Sequence, residues 1–180
     1  MTRRRERYSR AIAAAAAVIA VPMIWGCAGG GTADSPAERP ATTPLVAGRY
    51  FGVADCTATA QIAGETMDAS PGSTEVEAEI DSSGFPLQDG TAIEVGDVRA
   101  IEILGGSLQG TITEIRLDGE VLVVVRELAG TFAEGIPLHG NSVDEYRSDG
   151  DTLTVSITTT VSAGAVASLR QACTGQLTRQ

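Results

Sequence analysis

The chain has 180 residues, a formal charge of −10 and only 4% aromatic side chains. That length supports one domain with a modest core, built from Val, Ile, Leu and Ala because large rings are scarce. Residues 1–10 hold five of the 13 basic residues and one of the 23 acids, so eight arginines face 22 acids in the remainder, about −14; a surface of that sign argues against nucleic acid as a partner and against adhesion to anionic lipid by charge alone.

At the N-terminus, Arg3-Arg4-Arg5-Glu6-Arg7 is followed by an uncharged apolar run of fifteen residues, Ala11 to Trp25. A spanning helix needs about 20 residues, whereas a shorter run of this kind has the length of a signal-peptide core. The run ends in Ile24-Trp25-Gly26-Cys27. This ending resembles the lipobox of bacterial lipoproteins: an aliphatic residue, a variable one, a small one, then Cys. Ile24, Gly26 and Cys27 fit that pattern; Trp25 departs from it, since its slot usually holds a small or β-branched residue. The resemblance covers residues 1–27. It implies that 1–26 are removed as a signal peptide, that Cys27 carries diacylglycerol and acyl chains such as palmitate, and that the protein sits on the extracytoplasmic face of the cell membrane. The alternative is an ordinary secretory signal or a single-pass anchor in which Cys27 is incidental. Glu6 argues against a twin-arginine signal, because it stands where that signal carries an apolar residue.

From Ala28 to Leu45 the chain is rich in Gly, Ala, Thr, Ser and Pro and has no apolar periodicity. Together with Cys27 it forms a linker, 27–45, that is expected to be a disordered tether ahead of a domain at 46–180. The triple glycine Gly29-Gly30-Gly31 is no phosphate loop, since neither a preceding strand nor a following Gly-Lys-Ser/Thr accompanies it.

The domain reads as strands. Cys56, Ala58, Ala60 and Ile62 alternate with Thr57, Thr59 and Gln61; Val76, Ala78 and Ile80 alternate with Glu75, Glu77, Glu79 and Asp81; Leu153, Val155, Ile157 and Val161 alternate with Thr152, Thr154, Ser156, Thr158 and Thr160. Period-two patterns of this kind make half-buried strands with one wet face. Val121 to Val125 is apolar on both faces and should be more deeply covered. Three segments begin Asp-Gly, at Asp89, Asp118 and Asp149, and each continues with two residues, Ile or Leu, one residue, and Val. Asp-Gly supplies the left-handed conformations of tight hairpins, which accounts for the likeness without an internal repeat. A two-residue turn at Asp118-Gly119 would set Ile115 opposite Leu122 and Ile112 opposite Val125. Residues 163–172 read either as a short helix or as a loop into the last strand. The whole predicts an all-β domain of about eight antiparallel strands, closed as an up-and-down barrel or, alternatively, folded as a flattened sandwich.

With Cys27 given to lipid, Cys56 and Cys173 remain as an even pair in an oxidising compartment, so a disulfide is expected between the first and last strands. That link is natural where those strands are neighbours, which favours the barrel. There is no Cys-x-x-Cys to make the pair a redox site.

Catalytic chemistry is hard to find. His139 is the only histidine. With Ser142 and Asp144 it makes a nominal hydrolase triad, but no Gly-x-Ser-x-Gly elbow exists, and the residue reads as part of a Gly135–Asn141 loop. One histidine does not assemble a zinc set. The acidic stripe Glu75, Glu77, Glu79 and Asp81 reads as a solvated face, and Asp149-Gly150-Asp151 lacks the later ligands of a calcium loop. No cofactor, metal or catalytic residue is assigned. Gly48-Arg49-Tyr50 at the first strand and Arg179 at the chain's end resemble the Gly-x-Trp and closing Arg of lipocalins, with Tyr50 in place of Trp; the segment from Cys173 to Arg179 is similar to the last strand of small lipocalin-like bacterial lipoproteins. The resemblance implies a barrel with a small-molecule lumen. Three functions follow, in order of preference: a non-enzymatic tethered module that binds a small apolar or amphiphilic ligand, a structural lipoprotein with a filled core that meets another envelope protein, and a hydrolase using His139.

Overall fold

The computed structural model describes residue 40 and residues 43–103, 106–132, 135–164 and 167–180. The expected signal peptide, Cys27 and most of the expected linker lie outside these residues. Ten strands follow in order: β1 (Gly48–Ile62), β2 (Glu65–Ile80), β3 (Leu87–Gln88), β4 (Thr91–Ala92), β5 (Val98–Ile103), β6 (Gly106–Asp118), β7 (Val121–Phe132), β8 (Ile136–Asp149), β9 (Thr152–Ala163) and β10 (Ala167–Arg179). Eight of them form one antiparallel sheet in the order β2-β1-β10-β9-β8-β7-β6-β5, curled into a half-barrel, and β3-β4 form a separate small hairpin.

The expected up-and-down meander is therefore present, and β1 and β10 are paired along almost their full lengths, with Cys56 directly opposite Cys173 and bonded to it. The curl stops at β2 on one side and β5 on the other, which are not paired with each other. The chain between them folds into the concave side instead. Phe85 and Ile93 are buried there against Tyr50, Ala78, Ile80, Leu122, Val124, Tyr146, Leu153, Val155 and Leu177. Apolar burial by this plug, not an eighth ladder of the main sheet, covers one end of the concave face. Asp81 holds the plug's entry: its carboxylate accepts hydrogen bonds from the backbone N–H groups of Ser83 and Phe85, both at 2.8 Å. It is thus a turn residue and not the fourth member of the acidic stripe.

The linker also ends earlier than its composition implies. Leu45 is part of the core, the Thr43 amide donates to the Ser83 carbonyl at 3.2 Å, and the Thr43 hydroxyl donates to the Gly84 carbonyl. Gly84 has φ 85°, and a Cβ there would lie 2.9 Å from the Thr43 carbonyl oxygen, so only glycine lets the two segments meet.

The Asp-Gly turns divide into two kinds. Asp89 and Gly90 both have positive φ, 53° and 77°, and form the two central residues of the β3–β4 turn. At the other two, Asp118 pairs with Val121 and Asp149 with Thr152, so the central residues are Gly119-Glu120 and Gly150-Asp151, with only the glycine at positive φ. A glycine in the first central place is what a II′-type hairpin turn requires. The β6–β7 register is accordingly two residues away from that expected next to the turn, where Leu122 faces Leu117 and Ile115 faces Val124, and one residue away farther on, where Ile112 faces Arg126. A bulge at Thr113 then lets both Ile112 and Ile115 point inward although they are three residues apart. Val123, on the other face of β7, is also buried, as the two-sided apolar run implied. Among the described residues of 163–172 there is no helix: β9 runs to Ala163 and β10 starts at Ala167.

The disulfide ties residues 117 apart in sequence, a loop whose closure is worth about 4–5 kcal/mol in the chain-entropy account. Non-reducing peptide mapping should recover Cys56 and Cys173 as one linked pair. The Cys56→Ala/Cys173→Ala protein should lose roughly 2–5 kcal/mol in urea unfolding; unchanged stability would show that the β1–β10 ladder holds by itself.

Candidate functional site

The inner, concave face of the sheet is organised in cross-strand rows. One row runs Cys56, Cys173, Ile157, Asp144, Val124, Ile115. The next runs Ala58, Gln171, Thr159, Ser142, Arg126, Ile112, and the one after it Ala60, Leu169, Val161, Gly140, Leu128, Gly110, Arg99. On the plug side of the first row most inward side chains are apolar and buried; Ser148, whose buried Oγ has no hydrogen-bond partner among the described residues, and the exposed Leu117 are the exceptions. On the other side they change character.

Between the two halves lies a polar belt. The Arg126 Nη1 donates to Asp144 Oδ2; their side chains are 13% and 7% exposed. Ser142 Oγ donates to the other carboxylate oxygen of Asp144 at 2.9 Å and is 3.2 Å from Thr159 Oγ1. Arg126 also interacts with the Tyr146 hydroxyl. Burial opposes the charge on Arg126, but Asp144 and Tyr146 outweigh it and hold the guanidinium proton more firmly than usual. Tyr146 is buried, and that burial, reinforced by the charge of Asp144, pushes its phenol well above the ordinary range.

Each member arrives by strand phase. Arg126 follows Leu122 and Val124 on the inward side of β7, Ser142 and Asp144 lie between Leu138 and Tyr146 on β8, and Thr159 lies between Ile157 and Val161 on β9. Burial of Ser142 and Asp144, with Arg126 and Thr159 half-buried beside them, is supported because each finds a partner in the others. The signal in the sequence is a charged residue in an apolar phase, as in Leu122-x-Val124-x-Arg126-x-Leu128, and reading β8 in phase with Tyr146 would have found Asp144.

Beyond the belt the inner face is lined by small or modest side chains. Ala58, Ile62, Val161, Leu169, Gln171 and Cys173 are half-buried, with Ala60 buried among them. Gly140 also lies here; a Cβ on it would be 2.8 Å from Val161 Cα, so glycine lets β8 and β9 approach closely.

The remaining candidates fall elsewhere. His139 is in strand β8, not a loop, and it is exposed on the convex side, while Ser142 and Asp144 face inward. An odd offset along a strand puts side chains on opposite faces, so the nominal triad is split by the sheet itself. Glu75, Glu77 and Glu79 are exposed, and Arg49 lies 2.6 Å from Glu77 and 4.0 Å from Glu79. Asp151, in the β8–β9 turn, pairs with Arg179, whose amide donates to the Asp151 carbonyl at 2.8 Å. Arg179 faces Tyr50 across the β1–β10 ladder, and its Cδ is 2.7 Å from where a Cβ on Gly48 would stand. Tyr50 is buried, with its hydroxyl donating to the Val46 carbonyl at 2.7 Å. Among the described residues no group of three or more His, Cys, Asp and Glu is placed to hold a metal ion.

Two expectations test the belt. Removing one partner of a buried pair leaves an uncompensated charge, so Asp144→Ala should cost roughly 3–5 kcal/mol in urea unfolding, while Arg126→Met/Asp144→Leu should recover most of that loss. If the double variant is as unstable as the single one, the pair is not the source of the cost. The second concerns alkaline pH. A phenol whose folded proton affinity is raised contributes stability that is complete below its unfolded value of about 10 and is lost as pH rises beyond it. The chain has no lysine, which leaves tyrosine as the main side chain titrating there. Unfolding free energy should therefore fall between about pH 9.5 and 11, and Tyr146→Phe should flatten that fall; an equal slope in both proteins would refute the burial of Tyr146.

No protein-family model matches the chain, and neither a curated protein nor a solved structure matches it.

Proposed function

We propose that the protein is a membrane-tethered, extracytoplasmic lipoprotein whose half-barrel binds a small amphiphilic ligand in its concave side and performs no catalysis. The observation that carries this reading is the change of lining at the polar belt. On one side the concave face is filled by Phe85, Ile93 and Leu45; on the other, Ala58, Val161, Leu169 and Gln171 remain partly open to solvent. A concave, mostly apolar surface with a few convergent polar groups is the usual form of a small-ligand site. The Tyr50–Arg179 placement supports the lipocalin-like resemblance at the positions that carried it. The split of His139 from Ser142 and Asp144 removes the hydrolase reading's only triad. The lipid anchor rests on the Ile24-Trp25-Gly26-Cys27 ending. The second reading, an envelope protein that acts through its surface, rests on the long outer faces of the sheet.

Cys27→Ser tests the anchor. The substituted protein should leave the membrane fraction, and intact mass of the unsubstituted protein should correspond to a chain starting at Cys27 plus acyl chains; a mass with residues 1–26 present and no lipid would end the reading. Native mass spectrometry of envelope-purified protein should show a co-purifying amphiphile of constant mass. His139→Ala should leave both the fold and that bound species unchanged.

A further inference from the structure

The direction of the hydrogen bonds at the belt determines which headgroup the trough accepts, an inference that rests on the ligand-binding reading above. The Asp144 carboxylate, paired with the Arg126 guanidinium, only accepts hydrogen bonds. Ser142 Oγ lies 2.9 Å from Asp144 Oδ1 and commits its single proton there. The 3.2 Å contact between Ser142 Oγ and Thr159 Oγ1 therefore has one direction: Thr159 donates and Ser142 accepts. A hydroxyl has only one proton, so Thr159 Oγ1 is left with lone pairs and no donor. Gln171 is the next side chain of the same row, directly opposite Thr159 on β10. Its Nε2 donates at 3.6 Å to Cys173 Sγ, a weak acceptor two residues along the same strand face. The second N–H and the carbonyl oxygen of that amide have no partner among the described residues. Thr159 and Gln171 are both half-buried, as is Ala58 beyond them.

The rim of the belt thus offers two acceptors, Thr159 Oγ1 and Gln171 Oε1, and one donor, the second N–H of Gln171. A hydroxyl group, with one proton to give and lone pairs to receive, satisfies that set. An ether or ester has no proton for the two acceptors, and a carboxylate sets further lone pairs against them. Arg126 and Asp144 offset each other as a pair, and Arg99, one row farther along the trough, has a partner of its own. Past the Gln171 row the inward positions of β1, β9 and β10 are Ala60, Val161 and Leu169, then Ile62, Ala163 and Ala167. The four residues from Ala58 to Ile62 span about 14 Å of strand, an apolar path for a hydrocarbon chain. We infer that the half-barrel binds a neutral single-chain lipid with a free hydroxyl, its hydroxyl at Thr159 and Gln171 and its chain along Ala60, Val161, Leu169 and Ile62. The bound chain expels water from the rim, so a headgroup without a proton leaves Thr159 and Gln171 desolvated and unmatched, at a cost that the hydroxyl avoids.

The test compares oleyl alcohol, oleyl methyl ether and oleate in equilibrium binding to the full chain, purified from its membrane and held in phosphatidylcholine nanodiscs, with empty nanodiscs as the blank. Oleyl alcohol should bind about tenfold more tightly than the ether, the difference expected of one hydrogen bond whose loss strands a desolvated acceptor. Thr159→Val keeps the branched shape and removes the oxygen. It should weaken the alcohol by about tenfold and leave the ether unchanged, whereas Thr159→Ser should bind both as the parent does. Damage to the trough itself would weaken both ligands, so the ether separates a lost contact from a lost shape. Gln171→Leu should also weaken the alcohol selectively, and it decides the matter if circular dichroism shows that Thr159→Val has lost its strands. Equal binding of alcohol and ether, or Thr159→Val and Gln171→Leu proteins that both bind the alcohol as the parent does, overturns the headgroup assignment and leaves the amphiphile reading in place. Oleate binding more tightly than the alcohol overturns the choice of a neutral hydroxyl. No binding of any of the three above the blank overturns the amphiphile reading itself.

Discussion

The pairing of the first long strand with the last is the interaction on which the rest depends. β1 and β2 form a hairpin of their own, and β5 through β10 form a meander of their own; the sheet order joins them only through β1 and β10. Without that ladder neither part has a concave side, because the apolar positions of β1 and β2 would have nothing to face. The contact is also the most distant in sequence, so its loop-closure entropy is the largest single obstacle to assembling the sheet. The disulfide at its middle, from Cys56 to Cys173, acts on that term by holding the two ends close in the unfolded chain.

Much of this arrangement was legible in the sequence where a strand has one wet face and one dry one. Val76, Ala78 and Ile80 against Glu75, Glu77 and Glu79 state their orientation directly, as do Leu153, Val155 and Ile157 against their threonines and serines. The cysteine pair was legible from number, since two cysteines remain once Cys27 is set aside. Two things were hidden. The β6–β7 register depends on which two residues occupy the turn, and Asp118-Gly119-Glu120 allows either choice; the outcome follows from φ at Gly119. The belt was hidden because polar residues at inward positions imitate the outer face. Arg126, Asp144, Ser142 and Thr159 are identified as interior only when the phase of their apolar neighbours is carried through them.

The belt divides the concave side physically as well as chemically. On the plug side, desolvation is complete enough to raise the Tyr146 phenol, and the tyrosine, the arginine and the carboxylate hold one another in place. Such a network adds little net stability compared with an apolar filling of equal shape, yet any one of its members is costly to remove. It also fixes a boundary: the plug packs up to it, and the small side chains of β1 and β10 lie beyond it.

The seam between β2 and β5 bears on how this interior is dimensioned. In a closed barrel, strand number and stagger determine the radius, and no side chain alters it without disturbing a ladder. Here β2 and β5 share no ladder, and the segment between them packs Phe85 and Ile93 against Ala78 and Ile80 of β2 and against Ile112, Leu122 and Val124 of β6 and β7. The girth of the half-barrel is thus a property of side-chain volume in that segment. Lengthening or re-sizing residues 81–97 would alter the capacity of the trough while leaving all seven ladders of the main sheet unbroken, so the fold separates the inheritance of its frame from the inheritance of its calibre.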